Sequence, residues 1–158
     1  MREFLSENDL LLSEIKAVSH TDKTIGLHIR HEKFGKLNLG VLVKVSSCLL
    51  QRMKTQFYER GNIKIVFGLN GAIWLGSIND EISKENFEEI SKLRSLLIIL
   101  DQAFIKISPT LLFELYIMTA EYEARDLYLP SNKAKIENFV IDAIKAKKQS
   151  QNVSTPLN

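Results

Sequence analysis

The chain has 158 residues, with 21 Lys plus Arg against 19 Asp plus Glu and a formal net charge of +2. That length builds one ordinary domain, or a small domain with part of a second, and makes a multi-domain enzyme an unsuitable reading. With 45% hydrophobic and 25% charged residues, the balance is that of a globular chain and excludes a disordered or fibrous one. Cys48 is the single cysteine, so an internal disulfide and a cysteine-rich zinc ribbon are excluded, and a reducing compartment suits the chain. The longest apolar run in the middle of the chain, residues 96–100, is far too short for a membrane span. The opening residues carry acids where a secretory signal would carry an apolar block, so an intracellular product is expected.

In chain order the first half reads as strands. Residues 10–18 and 24–30 are β-branched or Leu-rich runs separated by the polar cluster Ser19-His20-Thr21-Asp22-Lys23, which predicts a hairpin. Ile25, Leu27 and Ile29 alternate with Gly26, His28 and Arg30, so one face is apolar and the other polar. Residues 41–45 form the next strand candidate. Ser46 then stands as a cap before a short helix over 47–53, with Leu49, Leu50 and Met53 on one side. Residues 63–67 and 72–75 flank Gly68-Leu69-Asn70-Gly71, and two β-rich runs joined through Asn-Gly predict a tight hairpin, because both residues tolerate positive φ.

The second half reads as helices. After Ser83 as a cap, with Glu85 in the first turn, Phe87, Ile90, Leu93, Leu97, Leu100 and Phe104 recur at helical spacing. Ser108-Pro109 is a cap followed by proline at the first helical position, and Leu111, Leu112, Leu115, Met118 and Tyr122 continue an apolar stripe. Pro130-Ser131 opens a third helix lined by Ile136, Phe139, Val140, Ala143 and Ile144. Residues past Gln149 read as a disordered tail.

Charge is unevenly spread. Residues 1–64 hold eleven basic and seven acidic side chains, whereas residues 65–158 hold ten and twelve. Between Arg30 and Lys64, eight cations face only Glu32 and Glu59, a net +6 that attracts phosphate backbones or acidic protein surfaces. Arg30, Lys33, Lys36, Arg52, Lys54 and Lys64 are therefore the candidates for phosphate contact, with docking on an acidic protein as the other reading. Phe57 and Tyr58, beside Lys54 and Arg60, are the candidate stacking pair, while Trp74 reads as packed. The loop Gly68-Leu69-Asn70-Gly71 has the Gly-x-x-Gly form with which KH domains clamp nucleotides, but it carries no cation and lies between strands, so a tight turn is the better reading.

Catalytic and metal sites find little support. His28 and His31 would face opposite sides of a strand and its end, and His20, His28 and His31 form no metal or catalytic set. Asp80, Glu81, Glu85, Glu88 and Glu89 could suggest a two-metal nuclease centre, yet their spacing suits the acidic start of a helix. No cofactor is expected. Cys48 reads as a small buried hydrophobe.

The order Lys33-Phe34-Gly35-Lys36-Leu37, Gly40-Val41-Leu42-Val43, Arg52-Met53-Lys54-Thr55 and Gly68-Leu69-Asn70-Gly71-Ala72-Ile73-Trp74 resembles the RNA exosome cap subunits of the ribosomal RNA processing protein four type. The resemblance runs from the start to the helices after Ser83. It implies an α+β chain with a partial OB-type (S1-like) segment over 1–38, a KH-like domain over 39–125, a C-terminal helix over 126–148 and a tail over 149–158. It also implies a non-catalytic subunit that binds RNA and other exosome subunits in the nucleus and nucleolus, and in the cytoplasm. By the same resemblance the Gly-x-Asn-Gly loop serves interdomain packing more than RNA gripping. The family's N-terminal β domain and the opening S1 strands have no counterpart here, which weakens direct RNA binding by the S1-like segment, since an OB barrel needs five strands to close.

Overall fold

The computed structural model describes residues 5–29, 34–79 and 83–152. It is a mixed α/β structure, with strands in the first half and helices in the second. The main sheet has four antiparallel strands in the order β5-β8-β7-β6, formed by β5 (Gly40–Lys44), β6 (Phe57–Arg60), β7 (Ile63–Phe67) and β8 (Ala72–Ser77). Pairing of Val43 with Ile73, Leu75 with Ile65, and Ile73 with Phe67 places all five side chains on one face. The helix α1 (Lys84–Gln102) covers that face with Ile90, Leu93, Leu97 and Leu100, and the joint core is almost free of solvent.

Caps set the helix starts where the sequence places them. Ser83 Oγ accepts the Asn86 amide at 3.1 Å, and Ser108 Oγ accepts the Leu111 amide at 3.2 Å at the head of α2 (Pro109–Met118). Each bond satisfies a first-turn N–H that has no partner within the helix. The third helix, α3 (Pro130–Asn152), closes the structure through Ile136 and Val140. A single 3₁₀ turn, Asp126–Tyr128, precedes it, so the helix begins four residues after position 126 and runs beyond Gln149.

Trp74 lies on the opposite face of the sheet, 5% exposed. Its indole is seated over Gly40 of the neighbouring β5 and Gly76 of its own strand: a Cβ on Gly40 would come within 2.5 Å of the ring, and one on Gly76 within 2.2 Å. Only a residue without a side chain leaves room for the ring.

The N-terminal strands form two separate pairs. β1 (Leu11–Leu12) joins β4 (Gly35–Lys36), and β2 (Glu14–Ser19) joins β3 (Thr24–His28) in the expected hairpin. The predicted strand over 10–18 is thus broken at Ser13 and shared between two sheets. A bulge at Lys16 shifts the register, so Ile15 and Val18, three apart, share a face with Leu27 and Ile25. All four remain 54–62% exposed.

Three further expectations are corrected, and one strand was not foreseen. The helix over 47–53 is a single 3₁₀ turn, Ser47–Leu49, because Leu50 is extended and bridges to Ile107 in parallel. Residues 57–60 form a strand that the charged pair Glu59-Arg60 concealed from a search for apolar alternation. Phe87 and Phe104 belong to the apolar periodicity of α1 but are both exposed. Cys48 is exposed rather than buried, being carried on the outside of the 3₁₀ turn. Among the described residues, no helix is long and apolar enough to cross a membrane.

Candidate nucleic-acid interface

Three loops meet at one end of the main sheet. The turn Gly68-Leu69-Asn70-Gly71 closes with the Gly71 amide donating to the Gly68 carbonyl at 3.1 Å, while Asn70 Oδ1 accepts the Ala72 amide at 3.1 Å. Gly71 has φ +86°, and a Cβ there would lie 2.2 Å from the Val45 carbonyl oxygen, so glycine is required twice over. The turn reading is therefore the one that the geometry bears out. The Val45 amide donates to the Gly71 carbonyl at 2.9 Å, and the next amide, Ser46, donates to Asp101 Oδ1 at 2.8 Å, joining the turn to the end of α1.

The 46–56 segment completes this end. The Gln51 amide donates to the Ile107 carbonyl at 3.0 Å, and the Phe67 amide donates to the Gln56 carbonyl at 2.9 Å. Arg52 and Lys54 lie between these two anchors, both exposed. Leu69, at the tip of the turn, is 71% exposed. The arrangement presents cations and apolar surface around a glycine turn, which suits a polyanion with apolar faces or an acidic protein surface.

Among the described residues, the other candidate cations are not brought here. Lys36 belongs to β4 and is tied to Asp9 by a 2.8 Å ion pair. Lys36, with the Ser6 amide, holds the Asp9 carboxyl below its usual range. Lys64 is half-buried on the sheet face that carries Trp74 and pairs across strands with Glu59. Arg30 and Lys33 lie outside the described residues, as do His31, Asp80 and Glu81. Phe57 and Tyr58 are half-buried: Tyr58 packs edge-on against Phe67 with centroids 5.6 Å apart, and Phe57 lies 6.4 Å from Phe34. Neither ring is set out as a stacking platform.

The acidic start of α1 does not converge on a centre. Glu88 turns to Lys84 at 3.8 Å, and Glu89 turns to Arg60 at 4.0 Å. No group of three or more His, Cys, Asp or Glu among the described residues is placed to hold a metal ion.

The sequence reading missed a cluster on the other side of the helices. Arg60 stacks over Tyr116 at 4.3 Å from the ring centroid, and the buried Lys92 lies 5.2 Å from the same ring while donating to the Thr119 carbonyl. Burial pushes the Lys92 ammonium below its ordinary pKa. Burial first, then the Glu89 carboxylate, raises that of Tyr116. A groove of about 640 Å³ opens beside them, lined in part by Glu85, Phe87 and Tyr122.

Comparison with known proteins places the chain. It is 32% identical over 145 residues to exosome complex component RRP4 of Mus musculus, an alignment covering 82% of this chain and 49% of the relative. The likeness is homology to the RRP4 exosome proteins, at moderate identity and partial coverage. The RRP4 of Saccharomyces cerevisiae is 43% identical over 76 residues, covering 48% of this chain and 21% of the relative. The RRP4 homologue of Caenorhabditis elegans is 37% identical over 76 residues, covering 48% of this chain and 25% of its own length. The chain spans about half the length of the mouse and bovine RRP4 proteins it matches. No family profile matches it.

Proposed function

We propose that the chain is a non-catalytic, RNA-binding subunit of an RNA exosome, holding RNA for 3′-to-5′ processing and decay, ribosomal RNA maturation included. On this reading residues 1–38 are an S1-type segment and residues 39–125 a KH-like domain. Its partners are RNA and the other exosome subunits, in the nucleus and nucleolus and in the cytoplasm. Homology to RRP4 supports the exosome part of this reading. The observation that carries the RNA part is the gathering of Arg52, Lys54 and the Gly68–Gly71 turn at one end of the sheet, both cations exposed. Backbone phosphates need cations and little geometry, and this end supplies them.

Crosslinking to RNA within the assembled complex tests the reading. Arg52→Glu with Lys54→Glu abolishes crosslinking and leaves assembly intact. The reverse pattern, with assembly lost and crosslinking retained by whatever complex forms, supports the second reading, a scaffold docked on an acidic ring surface. That rival draws on the same exposed cations.

A further inference from the structure

The end of α1 holds an aromatic residue in a conformation that usually belongs to glycine. The helix stops in a paired-bond closure: the Phe104 amide donates to the Asp101 carbonyl at 3.0 Å, and the Ile105 amide donates to the Leu100 carbonyl at 3.0 Å. This closure places Phe104 in the left-handed region at φ +53°. Glycine is the common occupant there, because a Cβ is strained in that region and a bulky side chain is an outlier. Nothing is gained by burial in return. Phe104 is 81% exposed, the largest exposure of any large apolar side chain among the described residues, with Leu69 second. The following residue, Ile105, packs against the core, so the closure sends one apolar side chain in and the ring out.

The surroundings of this ring are cationic. Lys106 follows two residues later and is exposed. Lys133 reaches the same segment through a 3.2 Å bond to Gln102. Of the nearby acids, Asp101 is engaged as the acceptor of the Ser46 amide. Strain retained at an exposed position points to use of the residue that bears it.

We infer that Phe104 is a base-stacking residue for single-stranded RNA, its ring set out by the helix closure two residues from the exposed Lys106, which takes a flanking phosphate. The inference rests on the RNA-binding reading above and names its stacking residue. A single strand offers base faces that an exposed ring can cover, whereas a duplex keeps them stacked on one another. The ring replaces Phe57 and Tyr58 as the aromatic partner of the cations.

Fluorescence anisotropy on the full 158-residue chain, with a labelled twelve-nucleotide oligouridine and its duplex with oligoadenosine, tests this. The chain binds the single strand more tightly than the duplex. Phe104→Gly fits the left-handed position without strain, so its Tm is no lower than that of the parent chain. Its affinity for the single strand falls roughly tenfold, the size of one lost stack. The salt dependence of its binding is unchanged, whereas Lys106→Ala lowers the slope of log K against log salt by roughly 0.7. Phe104→Trp restores affinity.

Binding by Phe104→Gly at parental affinity, while Arg52→Glu with Lys54→Glu abolishes it, overturns the stacking role and leaves the RNA-binding reading standing. Failure of the parent chain to bind either oligonucleotide removes that reading and the stacking role together. A lowered Tm in Phe104→Gly marks the ring as a structural brace and overturns the inference. So does loss of an exosome subunit from Phe104→Gly complexes with oligouridine binding intact.

Discussion

The two β regions of this molecule have similar apolar content and opposite fates. In the main sheet Ile63, Ile65 and Phe67 alternate inward against α1 and are sealed from solvent. In the hairpin of β2 and β3, Ile15, Val18, Ile25 and Leu27 line one face across a bulge and remain open to solvent among the described residues. The contrast teaches that alternation selects which face is apolar, while burial needs a second layer to lie on it. A hairpin alone supplies none, and two strands in water are marginal.

Truncating one residue in each region sharpens this contrast most. Leu97→Ala, in the sealed layer, costs about 2–5 kcal/mol in urea unfolding, because it removes buried methyl groups and leaves a cavity. Leu27→Ala on the open hairpin stays within about 0.5 kcal/mol. Equal losses at the two positions would mean that the hairpin face is covered in solution.

Smaller effects follow from the devices that shape the buried region. Gly71→Ala costs roughly 1–3 kcal/mol, since it forces a side chain into a left-handed turn and against the Val45 carbonyl. Thermal unfolding measures it, and an unchanged Tm would show that the turn has another conformation. Ser108→Ala lowers stability by about 1 kcal/mol through loss of the α2 cap, with Ser108→Asn close to neutral. A parental midpoint for the alanine variant would remove the cap from the account.

The smallest effect lies at the base of the open region. Lys36 donates to the Asp9 carboxylate and lowers its pKa, so the tie between β4 and the 6–9 turn is present above the ordinary carboxylate range. It is lost as pH falls through the lowered value. In an NMR titration, Lys36→Ala moves the Asp9 midpoint upward. A midpoint that stays put would assign the shift to the Ser6 amide alone.

How far the residues were legible depended on whether a local rule governed them. Ser83 and Ser108 announced the helix starts, and Asn70-Gly71 announced the hairpin, because caps and tight turns are decided within four residues. The 46–56 segment was misread, since Leu50 is held extended by Ile107, fifty-seven positions away along the chain. Part of the candidate site was equally hidden. Arg52, Lys54 and the glycine turn were visible singly, but Lys36 and Lys64 carried the same charge signal and lie elsewhere. Phe104 carried the wrong signal: it fits the α1 periodicity, and only the helix closure turns it outward.

Composition, caps, turn residues and periodicity by themselves determined a chain of strands followed by helices, a glycine-closed hairpin and a basic stretch before Lys64. Those properties are local, set by backbone sterics and by side chains a few residues apart. Tertiary structure alone decided which apolar faces are covered and which cations gather around the turn. Each depends on segments distant in sequence meeting through hydrogen bonds and packing, and no short window of residues contains both partners.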